Sequence, residues 1–228
     1  MYIFRGTIGY WLKFGVAIPS SFDYTPINIA QDPIQTEYTD KEKSQKVFLY
    51  KSLINSNQMV IMPQAHYVMS AKAIAYNYDF IFISEFFDSA ALYDLGSAWG
   101  EIADKNYFKK YIKTYSQKTE LSGTRALHWE YKYGAPHPYA YLSSHIAHNH
   151  IVPANRNIMA GLLTIKLWDD IQLEGELIDM KHLNKKKKII ESYRTSMSRE
   201  DEDYGDRGNG NCETIYLTKL RVGNRVYE

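Results

Sequence analysis

The sequence predicts an α+β fold: a mainly antiparallel β-sheet with two amphipathic helices, at about 98–115 and 180–197, packed on it. Two patterns predict this. Short β-branched and aromatic runs punctuated by Gly, Pro, Asn and Asp recur at both ends of the chain and through 126–178. Between and after them lie two stretches whose apolar residues return at helical intervals. At 228 residues the chain has the length of one domain. It is expected to carry an extended, proline-spaced arm or long loop at about 19–45 and a charged loop at about 199–211.

Tyr2-Ile3-Phe4 and Ile8-Gly9-Tyr10-Trp11-Leu12 read as strands. Pro19, Pro26 and Pro33 then interrupt a polar stretch in which no regular element is expected. Such a segment is either an arm that orders on a neighbour or a disordered one. Val47–Ile54 and Met59–Met62 read as strands around an Asn55-Ser56-Asn57 turn. The alanines of Tyr67–Tyr76 favour a short helix. Phe80–Ile83 reads as a buried strand, and Ser84 as the cap of a helix over Glu85–Leu95.

Trp99, Ala103, Tyr107, Tyr111 and Tyr115 return every four residues, which marks the first amphipathic helix. Ala126–Tyr133 alternates as a strand. Leu162–Leu167 and Ile171–Ile178 read as strands joined at Trp168-Asp169-Asp170. The second helix, capped by Asp179, carries Leu183, Ile190 and Met197 and spreads Lys185–Lys188 around its surface. Thr214–Leu220, Gly223-Asn224 and Arg225–Tyr227 form a terminal hairpin.

Composition excludes several classes. A hydrophobic share of 45% excludes a wholly disordered chain. No apolar run approaches the ~18–20 residues of a membrane span, and no secretory signal is evident, so a cytoplasmic or virion location is expected. A net charge of +1 supplies no bulk field for nucleic acid or anionic lipid. The single cysteine, Cys212, permits no internal disulfide and reads as incidental in its Gly-Asn loop. No nucleophile elbow, P-loop or dinucleotide fingerprint occurs. Glu174 and Glu176 share a strand face as solvated carboxylates, and Glu200-Asp201-Glu202-Asp203 lacks the ligand spacing of a calcium loop.

One cluster carries chemistry. Five of the seven histidines lie between 128 and 150, densest at His145-Ile146-Ala147-His148-Asn149-His150. Imidazole is a common metal ligand. On a helix His145 and His148 share a face; on a strand His148 and His150 do, with His145 opposite. A third ligand is sought in His128, His137 or Glu130. Three protein ligands and an open position make a catalytic zinc or iron site. His145, His148 and His150 are therefore the candidate ligands.

Tyr2-Ile3-Phe4-Arg5, Pro136-His137-Pro138-Tyr139 and Thr214-Ile215-Tyr216-Leu217 together resemble segments of the enzymatic subunit of heat-labile enterotoxins. The resemblance implies an ADP-ribosyltransferase with Arg5 at a nicotinamide dinucleotide. It covers about a dozen residues. Ala140-Tyr141-Leu142 stands where that family's catalytic glutamates belong, and Val68-Met69-Ser70-Ala71 is the nearest segment to its Ser-Thr-Ser strand.

Two further readings follow. An aromatic-rich chain with an arm and no complete active-site motif suits a structural subunit of a larger assembly, such as a virion or phage connector, with other protein subunits as partners and no cofactor. The alternative is a metal-dependent enzyme built on the three histidines.

Overall fold

The computed structural model describes residues 13–54, 56–77, 90–118, 125–184, 188–198 and 212–228, with the backbone alone at 115–118 and 125–128. Strands β1 (Ser21–Phe22) and β2 (Ile34–Glu37) precede helix α1 (Asp40–Gln45), β3 (Phe48–Lys51), β4 (Gln58–Asn77) and β5 (Tyr93–Ala98). A 3-10 turn at Gly100–Ala103 leads to α2 (Lys105–Tyr111), β6 (Ile112–Lys118), β7 (Arg125–Tyr131), α3 (Tyr139–Ser144) and β8 (Ile146–Pro153). The chain continues through α4 (Arg156–Leu162), β9 (Asp170–Leu183), β10 (Ile189–Tyr193), β11 (Cys212–Val222) and β12 (Arg225–Tyr227).

Five strands pair in the order β11–β8–β5–β4–β9, and β9 pairs back onto β11, so the sheet closes into a barrel. Closure leaves these strands without an open edge over their shared lengths. Alternation sends one set of side chains inward. Ala65, Tyr67, Met69, Ala71 and Ala73 of β4 meet Leu95, Ile151, Leu173, Leu177, Ile215 and Leu217, all fully buried. Ile158, Met159 and Leu162 of α4 join this core, and α4 packs on β11 and β12. A second apolar cluster forms outside the barrel wall, where Met59, Ile61, Val152, Ile178 and Met180 pack with Tyr50 of β3. The bulge between Pro63 and Ala65 turns β4 from the outer cluster to the inner one.

The α+β class stands, but the sheet is mixed. β8 and β11 run parallel, with Cys212 opposite His148 and Thr214 opposite His150, while the other pairings are antiparallel. Among the described residues, neither expected amphipathic helix runs over its expected span. Of 98–115, only Lys105–Tyr111 is α-helical, capped by the Asp104 carboxylate, which accepts from the Asn106 and Tyr107 amides. Gly100 breaks the run at φ 62°, a left-handed conformation in which a Cβ would come within 2.9 Å of His145 Cδ2. Ile112 onward is strand, paired with β7. A spacing of four cannot discriminate here, because it holds one face of a strand as well as one face of a helix.

In 180–197 the chain completes β9 and turns back as β10, with Leu183 opposite Ile189 and Met180 opposite Tyr193. Asp179 caps no helix; it accepts from the Thr195 amide at 3.0 Å. Tyr67–Tyr76 is also strand. Its alanines lie inside a narrow barrel where small side chains fit, and packing overrides their helix preference. Leu162–Leu167 ends α4 instead of forming a strand; Asn155 caps that helix by accepting from Ile158 N.

The hairpins at 47–62 and at the C-terminus form as expected, as β3–β4 and β11–β12. The strands expected at 2–12 and 80–83, most of the 85–95 helix and the charged loop at 199–211 lie outside the described residues. Tyr93–Leu95, at the end of that helix, is strand.

Residues 19–45 lie along their own barrel. β1 pairs with β12, and β2 pairs with β4 opposite Ala65–Val68. The buried guanidinium of Arg221 donates to the Asp23 carboxylate at 2.6 Å, the Asp23 carbonyl at 2.9 Å and the Thr25 carbonyl. Tyr38 donates to Glu176 at 2.7 Å; burial, then that bond, pushes its phenol up. A regular element also survives the prolines. Thr39 and Glu42 form a capping box that starts α1 after the last of them.

Among the described residues, no helix is long and apolar enough to cross a membrane.

Candidate metal centre

Three neighbouring barrel strands present two cross-strand rows on the outer face. In one row Asp94 of β5 stands opposite His150 of β8, which stands opposite Thr214 of β11. In the next, Gly96 stands opposite His148, which stands opposite Cys212. Residues two apart on a strand share a face, so all six lie on one side of the sheet. Asp94, His148, His150 and Thr214 are buried, and Cys212 is partly exposed.

His148, His150 and Cys212 each offer one ligand atom, and these atoms lie within 4.8 Å of one another. The Cys212 sulphur is 3.8 Å from His148 Nδ1. Ligand atoms on a tetrahedral zinc stand about 3.4–3.6 Å apart, given bonds of about 2.0–2.3 Å. The site lies within a small side-chain adjustment of that geometry.

Asp94 sits behind both rings. Its Oδ1 is 2.9 Å from His150 Nδ1 and 3.9 Å from His148 Nε2. A carboxylate that accepts a hydrogen bond from one ring N–H fixes the tautomer and leaves the other nitrogen's lone pair for a metal. The rings of His148 and His150 lie 4.3 Å apart, centre to centre, and Tyr193 stands edge-on to His150 at 6.2 Å.

The free edge of β11 beside Cys212 is held by residues 195–196. Thr195 Oγ1 accepts from Thr214 N at 2.9 Å, and Ser196 N donates to the Cys212 carbonyl at 3.2 Å. Asp179 in turn holds the Thr195 amide, and burial pushes the Asp179 carboxyl up from its ordinary value. A raised acid pKa adds stability that is complete below the unfolded value and is lost as pH rises through the folded one. Asp179→Asn keeps the accepting oxygen and removes the charge. The variant is expected to exceed wild type in urea midpoint near neutrality, with the gap closing in acid. Parallel pH profiles for the two proteins would contradict this assignment.

His145 is not brought to this cluster by the structure. It ends α3 before β8 begins, stacks on Tyr141 at 3.9 Å, and places Nε2 3.6 Å from Asp32. Of the other expected third ligands, His137 pairs with Glu101 at 2.7 Å and Glu130 faces Lys113 at 3.7 Å. The His128 side chain and Arg5 lie outside the description. Ala140-Tyr141-Leu142 lies within α3. Glu174 and Glu176 meet Lys219, and Lys46 with Tyr38, on the barrel surface.

Cys212, Asp94 and Thr214 escaped the reading of the sequence. No local pattern marks them: His148-Asn149-His150 and Cys212-Glu213-Thr214 are polar throughout, without alternation.

Among known proteins, no family model matches the chain, and no curated protein or solved structure matches it.

Proposed function

We propose that this chain is a metal-dependent enzyme with a mononuclear, zinc-class centre whose protein ligands are His148, His150 and Cys212. The observation that carries the reading is the convergence of two imidazoles and a thiol within 4.8 Å on a buried face, with a carboxylate behind them. Imidazole plus thiolate suits zinc, whereas a blue-copper centre with the same three ligands adds a weak axial donor such as Met. Structural zinc sites close their shell with four protein ligands; the three found among the described residues leave a position for water or substrate. These residues would hold a zinc ion, which would supply Lewis-acid chemistry suited to hydrolysis. The thiolate of Cys212 offsets part of the charge, Asp94 orients His150, and the surrounding burial limits the approach of bulk water.

Support for an assembly subunit is thinner. Val16, Ile18, Phe22 and Tyr24 are exposed near the first described strand, which suits a protein contact. Elsewhere in the 19–45 segment, Tyr38, β1 and β2 bond to strands of the same chain.

The test is reconstitution. Metal-free protein titrated with zinc against a chromophoric chelator is expected to take up one ion per chain. Uptake well below one ion per chain, or uptake unchanged when Cys212 and both histidines are replaced, removes the reading.

A further inference from the structure

We infer that the Thr214 hydroxyl holds the non-protein ligand at the fourth position of this centre, and that this ligand is a small oxygen donor of the water or hydroxide class. The inference rests on the metal-centre reading above and specifies what its open position accepts.

Thr214 is fully buried, and its Oγ1 has no hydrogen-bond partner among the described residues. Buried hydroxyls are normally bonded, so one that is not calls for a partner such as water or a ligand. Its position indicates where that partner sits. Thr214 stands opposite His150 and two residues from Cys212, on the face that carries both ligands and Asp94. Its backbone N–H is already committed to Thr195 Oγ1 at 2.9 Å, which fixes the strand locally and leaves the hydroxyl hydrogen to rotate about the Cβ–Oγ1 bond. A threonine hydroxyl donates one hydrogen bond and accepts others, so it can hold a neutral water or an anion.

Burial sets the size of the ligand. His148, His150, Asp94 and Thr214 are all buried, and only Cys212 of the three metal ligands is partly exposed. A ligand arriving past the sulphur meets the hydroxyl two residues along the same strand, about 6.6 Å on. Thr214 is therefore a positioning residue for the fourth ligand and not a metal ligand itself.

The experiment uses cobalt(II) in place of zinc, with azide as the probe of the open position. Wild-type protein is expected to bind one cobalt and to change its visible absorption on adding azide. Thr214→Val, which keeps the shape and removes the hydroxyl, is expected to bind cobalt within about twofold of wild type and azide about tenfold more weakly. Thr214→Ser is expected to restore wild-type azide binding. Equal azide affinities in wild type and Thr214→Val overturn the inference, as does a wild-type cobalt spectrum that azide does not alter; both leave the metal centre standing. Failure of the wild-type chain to bind cobalt removes the centre and the inference with it. Should the valine variant not fold, Thr214→Ser against Thr214→Ala makes the same comparison.

Discussion

Replacing Cys212 with serine is expected to weaken zinc binding by about a hundredfold or more, and His148→Ala or His150→Ala by a similar factor. Each substitution removes one of the three proposed protein donors, and zinc affinity in protein sites is shared among few ligands. Asp94→Asn is expected to cost about 10–100-fold, the usual effect of losing a carboxylate that orients a metal-bound imidazole. His145→Ala separates this arrangement from the one that the sequence suggests. His145 faces Asp32 and Tyr141, so its loss is expected to leave zinc affinity within about twofold. Chelator competition on the five variants, each checked for a wild-type circular dichroism spectrum, reads all of these values. A drop for His145→Ala equal to that for His148→Ala would contradict the centre as drawn.

Gly175→Ala is expected to be the most damaging single substitution in the barrel wall. A Cβ at Gly175 would run into the Tyr216 carbonyl oxygen and come within 3.1 Å of Leu217 Cα. Both neighbours are backbone of β11, so no side chain can turn aside. Gly175 pairs with Leu217 on β11 and Tyr67 on β4, beside the irregularity between Leu217 and Lys219. The strands must part where the barrel closes, at a cost of about 3–5 kcal/mol. Urea denaturation is expected to show a loss of that size or an insoluble variant. A loss under about 1 kcal/mol would contradict the close approach of β9 and β11. β11 also carries Cys212 and Thr214, so a folded Gly175→Ala protein is expected to bind zinc more weakly than wild type.

What could be read from the residues follows contact range. The hairpins β3–β4 and β11–β12 join neighbouring segments across Asn- and Gly-bearing turns, and local chemistry announces them. The shared face of His148 and His150 follows from strand alternation. The helices at 98–115 and 180–197 failed for different reasons. In the first, a four-residue spacing suits strand and helix alike. In the second, the fate of Asp179 depended on Thr195, which reaches it only after β10 has turned back along β9. The alanines of β4 invite a helix until the barrel around them sets the available volume.

The site was half legible for the same reason. Its two imidazoles stand two residues apart in the sequence. Asp94 and Cys212 join them only through the order β5–β8–β11, and the parallel pairing that brings Cys212 level with His148 is set by strands more than fifty residues apart. Nothing local marks a lone cysteine after a Gly-Asn loop as a ligand. His145 was included because it is near in sequence, yet it precedes β8 and faces the 19–45 segment through Asp32.

X-ray absorption at the zinc edge of the zinc-loaded full chain tests the central claim most directly. The expected spectrum has one sulphur scatterer at about 2.3 Å and three nitrogen or oxygen scatterers at about 2.0–2.1 Å, two of them with the outer-shell pattern of imidazole. A shell of light atoms alone, with no sulphur and unchanged in Cys212→Ser, would contradict it.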